Sequence, residues 1–220
     1  YYSEGAIQRE DATERENFEA AYRGMVNWVV DNAEERNIAY TFHTGDITGN
    51  HFLVTENEEW NAQVRAEFEL ADELQGILDD SGMPNGVLPG NHDNVYGLNN
   101  DLYNEYFGPE RYEALSEGWE NAEYGGPWRE GDNSAHYDLF TAGGLEFVAV
   151  HLPFWASDAQ LTWARETLAA YPDRNAILAS HDYLNGSDSP DGRGAAFSNP
   201  DGQRIYDEVV SQSPNVFLTL

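Results

Sequence analysis

"VLPGNHDNVYG" (87–97) decides how the rest of this chain is read. A short apolar run leads into Pro89 and Gly90, and Asn91, His92 and Asp93 follow, three side chains able to ligate, donate or accept. Taken alone, the stretch is compatible with a turn, a metal site or a proton relay. Its neighbours narrow the choice.

Upstream, Phe18, Tyr22, Met25, Val26 and Val29 recur at helical spacing and predict an amphipathic helix from Asn17 onward. Ile38 to Phe42 in "NIAYTFHTGD" is short, apolar and rich in aromatic or β-branched residues, which predicts a buried strand stopping at Gly45. A second helix carries Trp60, Val64, Phe68, Ala71, Leu74 and Leu78, and "SGMPNG" breaks it before the quoted stretch. Downstream, "LEFVAVHL" (145–152) reads as a strand, and Ser157 with Gln160 forms a capping box for a helix holding Leu161, Ala164 and Leu168. "NAILASHDY" reads as a strand, Ile205 to Val210 as a short helix and "NVFLTL" as a last strand. Strands alternating with helices predict a single α/β domain with a largely buried sheet. Residues 94–143 are aromatic, rich in Gly and Asn, and weakly periodic; they are expected to pack as a long excursion, with a cap beside a site as the alternative. "NGSDSPDGRG" (185–194) is expected to be a polar surface loop and lacks EF-hand spacing.

The 220 residues carry 40 acidic and 11 basic side chains, all of the latter Arg, for a formal charge of -29. Such a field repels nucleic acid and anionic membrane surfaces, so neither is expected as a partner. With no Cys, disulfides and thiolate metal sites are excluded, and any metal must be held by His, carboxylate, Asn or water. No run approaches the roughly 18 apolar residues of a membrane span. An acidic chain free of Lys and Cys suits an extracellular or cell-surface protein, or the cytoplasm of a salt-adapted cell. Oligomeric state is not legible.

Strand after strand ends in potential ligands: Asp46 after "FHTG", Asn91 to Asp93 after "VLPG", His181 and Asp182 after "ILAS". In open α/β sheets sites form beyond the carboxyl ends of strands, so these residues are expected to meet in space. A Gly before Asp46 and another before Asn91 lets the backbone approach closely. Individually each has an ordinary explanation, as turn, cap or packed histidine; the joint pattern points to an oxygen-rich metal site suited to Mn, Fe or Zn. Among the other histidines, His43 is read as packed beside the site, His151 as a candidate for facing it, and His51 and His136 as solvent-facing loop residues.

With "GDIT" (45–48), "GNHD" (90–93) and "ILASH" (177–181) in order, the chain resembles the calcineurin-like metallophosphoesterases, dinuclear hydrolases that include the purple acid phosphatases. The resemblance implies mixed β-sheets packed as a sandwich and flanked by helices, two divalent or trivalent ions, and a phosphoester substrate, small or on a phosphoprotein. It implies that Asp46 bridges the ions and that Asn91 and His181 ligate one of them. His92 would be the proton donor, oriented by Asp93. The family's first block, Asp-x-His or Asp-x-Gln, and its last, Gly-His-x-His, have no counterpart between Tyr1 and Leu220, so an internal segment of a longer protein is expected, holding metal weakly by itself. The competing expectation is a catalytically silent module of a larger surface protein that keeps the fold for binding.

Overall fold

A computed structural model describes residues 2–50, 57–186, 195–198 and 200–220. Two helices lead the chain, α1 (Tyr2–Gln8) and α2 (Ala12–Arg36). Asp11 caps α2 by accepting from the Thr13 and Glu14 amides at 2.8 and 3.0 Å, which starts the helix five residues before the apolar pattern does. Asn37, in the left-handed region at φ 54°, closes it.

Strand β1 (Thr41–His43), helix α3 (Glu58–Asp80) and strand β2 (Asn85–Val87) form one βαβ unit, and β1 and β2 pair in parallel from Thr41↔Asn85 to His43↔Val87. Val64, Phe68, Ala71 and Leu74 are fully buried on one face of α3, as the sequence spacing predicts. Phe68→Ala there costs about 3–5 kcal/mol in lost contacts and residual cavity.

Two short helices follow, α4 (Asp101–Phe107) and α5 (Pro109–Ser116), then β3 (Ala122–Arg129), β4 (Asp132–Ala142) and β5 (Leu145–Leu152) in antiparallel succession. The aromatic stretch 94–143 therefore holds two helices and two strands and is not one loop excursion. Its role as packing holds, since Tyr103, Phe107, Tyr112, Trp119 and Tyr124 are core residues. Helix α6 (Asp158–Ala170) begins on the expected Ser157/Gln160 capping box, and β6 (Asn175–Ser180), α7 (Asp201–Glu208) and β7 (Val216–Thr219) complete the chain. Strands β5, β6 and β7 run parallel, giving a mixed five-stranded sheet ordered β3-β4-β5-β6-β7.

The two sheets pack face to face. Tyr40 and Phe42 meet Phe140, Ala149 and Ile177 between them, with Tyr40 stacked on Phe140 at 4.9 Å. Helices α2 and α3 cover the outer face of the small sheet, while α6 and α7 cover that of the large one. This is the expected sandwich flanked by helices. Among the described residues no helix is long and apolar enough to cross a membrane.

Candidate metal centre

Three strand ends converge. Beyond β1 the chain turns through Gly45 (φ 92°) and Asp46 (φ 54°), beyond β2 through Pro89 and Gly90, and beyond β6 directly into His181. A Cβ on Gly45 would lie 2.6 Å from the Gly90 nitrogen and 2.7 Å from His181 Nδ1; one on Gly90 would overlap the Asp46 carboxylate. Only glycine permits this approach. Asp46 is a non-glycine residue in the left-handed region, the kind of backbone strain that persists where surrounding structure over-determines it.

The approach brings Asp46, Asn91 and His181 together, as expected. His181 Nε2 lies 3.1 Å from Asn91 Oδ1 and 3.4 Å from Asp46 Oδ1. On the other side of the ring, Nδ1 donates to the Thr44 carbonyl at 2.7 Å, because a carbonyl can only accept. In the neutral ring that bond fixes the tautomer and leaves Nε2 as a lone pair facing two acceptor oxygens. A lone pair 3.1 and 3.4 Å from two acceptor oxygens is repelled by both unless a cation lies among them. These separations match the edges of a coordination shell, about 3.0–3.5 Å for ligands about 2.1 Å from one ion. The carboxylate, amide and imidazole set therefore fits Mn, Fe or Zn.

His92 sits beside the cluster, its backbone N–H donating to Asp46 Oδ1 at 3.3 Å. Its Nδ1 donates to the Gly49 carbonyl at 2.6 Å, so Gly49 orients the ring and not Asp93. Asp93 instead turns inward and is buried. It accepts from the Ile47, Thr48 and Gly90 amides at 3.1, 2.9 and 2.7 Å and from Thr48 Oγ1 at 3.1 Å. One carboxylate thus ties the loop after β1 to the loop after β2. Burial pushes it up to about 6 in spite of those donors.

Sequence reasoning missed Glu67. It is fully buried on the apolar face of α3 and accepts from the Gly49 amide at 2.8 Å and Asn50 Nδ2 at 2.9 Å, holding the loop that orients His92. A carboxylate among Val64, Phe68 and Ala71 was the available signal. His43 is packed as expected; its Nδ1 accepts from the Gly45 amide at 3.3 Å and burial lowers it to about 4. His51 lies outside the described residues.

His136 departs from the expectation of a solvent-facing loop residue, and His151, a candidate for facing the site, does not face it. Neither reaches solvent or the strand-end cluster; both are fully buried between the sheets, stacked at 4.2 Å beside Asp138 and Tyr40. His136 lies in β4, whose residues 132–136 are all buried, and the Asn133 carbonyl accepts its Nδ1–H at 3.0 Å.

A sequence model of the calcineurin-like phosphoesterases matches residues 17–208. The chain belongs to that family. It is also 32% identical over 208 residues to "Uncharacterized protein YvnB" of Bacillus subtilis (strain 168), a match covering 93% of this chain and 14% of that protein. The chain therefore spans a small part of the length of that relative. Membership of this family supports metal-dependent phosphoester hydrolysis in general.

Proposed function

We propose that Asp46, Asn91 and His181 belong to a dinuclear centre that hydrolyses a phosphoester in the full-length protein, with His92 as proton donor. The single observation that carries this reading is the convergence of His181 Nε2 with two acceptor oxygens at 3.1 and 3.4 Å. Asp46 would supply the carboxylate shared between the ions, and Asn91 and His181 would hold one of them. Bound ions of Mn, Fe or Zn supply Lewis acidity and a water acidic enough to act as nucleophile near neutral pH.

The chain's own residues do the rest. As the water oxygen bonds to phosphorus and the ester P–O bond breaks, His92 Nε2 passes a proton to the departing oxygen, while Gly49 keeps the ring in place through Nδ1. Bound cations also answer the charge problem, since a chain of formal charge -29 attracts a phosphate only where local positive charge dominates. Beside the centre, the Phe154 ring lies 6.0 Å from His181 and packs against Tyr96 and Trp155, both about half exposed and both at positive φ. This aromatic wall is suited to the organic part of an ester.

The test is an assay of the full-length protein with Mn, Fe and Zn against paired aryl phosphate mono- and diesters. Metal-dependent release of the aryl alcohol is expected. Stoichiometric metal binding with no turnover on either ester indicates the silent module instead.

A further inference from the structure

Between the sheets lies a second group of ligand-type side chains that the strand-end centre does not use. His136, Asp138 and His151 are fully buried, and one ligand atom from each lies within 4.8 Å of the others. His151 Nε2 is 3.2 Å and His136 Nε2 3.8 Å from Asp138 Oδ2. Tyr40 completes the group, its hydroxyl donating to Asp138 Oδ2 at 2.6 Å and lying 3.2 Å from His151 Nε2.

Counting protons shows what the group lacks. His136 spends its Nδ1 proton on the Asn133 carbonyl, so Nε2 is a bare lone pair pointing toward a carboxylate. Tyr40 and His151 supply at most one proton each to Asp138 Oδ2. His136 Nε2, Asp138 Oδ1 and His151 Nδ1 are left buried without a hydrogen-bond partner. Among the described residues no Arg pairs with Asp138; its ion-pair partners are the two histidines. Native cores rarely leave several acceptors unpaired in one place. The space is also kept clear: a Cβ on Gly86 would overlap Tyr40 Oη and come within 2.6 Å of His151 Cε1.

We propose that His136, Asp138 and His151 form a structural cation site, distinct from the strand-end centre, that takes one divalent transition ion of the zinc type when the sheets close on each other. Two imidazoles and a carboxylate are the donor set such an ion prefers, and drawing them in to about 3.5 Å from one another completes three corners of a tetrahedron. Tyr40 Oη is the nearest candidate for the fourth. Burial favours the ligating form of both histidines, lowering each to about 3. Because the ligands come from β4 and β5 and Tyr40 from the segment before β1, the ion pins one sheet to the other.

The test refolds the 220-residue chain with and without Zn2+, removes loosely held ions by gel filtration in EDTA, and measures zinc per chain and melting temperature. An Asp46→Asn/His181→Asn variant is carried alongside to silence the strand-end centre. The expected result is one retained zinc per chain in both proteins and a melting temperature roughly 5–10 °C higher than without metal. Asp138→Asn, which still accepts from Tyr40, loses that zinc and that increment. Should Asp138→Asn not fold, the unaltered chain refolded with Co2+ is read by its visible d–d absorption, expected at tetrahedral intensity in the double variant too. No retained zinc, zinc unaffected by Asp138→Asn, or no such Co2+ spectrum overturns the proposal and leaves a metal-free polar network. Loss of zinc only in the double variant overturns it too, while sustaining the strand-end centre.

Discussion

The molecule holds two groups built from the same ligand chemistry, a carboxylate with imidazole. At the strand ends, Asp46, Asn91 and His181 are partly exposed, and His181 is fixed by a backbone carbonyl. Between the sheets, Asp138, His136 and His151 are sealed, and two rings stack on each other. Position makes the difference. Ligands on loops past the sheet leave open faces for substrate and water; ligands inside the sheets have none, so anything they hold serves stability. Metal-site chemistry read from residue type alone would not separate the two.

The contrast can be broken most severely at Gly90. Gly90→Ala forces a Cβ into the Asp46 carboxylate and backbone, and is expected to abolish metal retention at the strand ends while leaving the inter-sheet group intact. Isothermal titration with Mn2+ checks the first part, and wild-type far-UV circular dichroism the second. Next in size, His92→Ala in the full-length protein is expected to lower turnover of an aryl phosphate by roughly a hundredfold or more with metal content unchanged. Loss of metal would make His92 a ligand.

The smallest effect sharpens the role of burial. Asp201, buried and accepting from the Trp155 amide at 2.7 Å, is pushed up to about 6 by desolvation. An acid whose folded pKa exceeds its unfolded value of about 3.9 holds its proton more tightly when folded, so its stabilising contribution is complete below about pH 4 and is lost as pH rises through about 6. Asp201→Asn is therefore expected to flatten urea-unfolding stability between pH 4 and 6, by on the order of 2 kcal/mol. An unchanged slope would mean that Asp201 ionises as freely as in the unfolded chain.

Much of this was legible in the sequence, for identifiable reasons. Ligands at strand ends follow from short apolar runs stopping at Gly, so Asp46, Asn91 and His181 could be brought together without coordinates. Strands β3 and β4 could not. The "GGP" of β3 reads as loop, yet an edge strand with register shifts at Tyr124/Gly126 and Pro127/Arg129 accommodates it. Strand β4 is buried on both faces over residues 132–136, so polar Asn133, Ser134 and His136 interrupt the expected alternation; the Asn133 and Ser134 amides and His136 Nδ1 find partners inside, and His136 Nε2 does not. The resemblance implied that Asp93 aims His92, whereas in the structure the His92 ring donates to the Gly49 carbonyl and Asp93 turns inward. The ring's real holder, Gly49, lies 43 residues away, beyond any spacing rule.

The central claim is that the strand-end acceptors hold catalytic metal. The most direct measurement is Mn2+-dependent turnover of an aryl phosphate by the full-length protein, wild type against Asp46→Asn. Turnover that rises with Mn2+, disappears in EDTA and falls roughly a thousandfold in the variant is predicted. Turnover that ignores Mn2+, or that survives Asp46→Asn, would contradict the account.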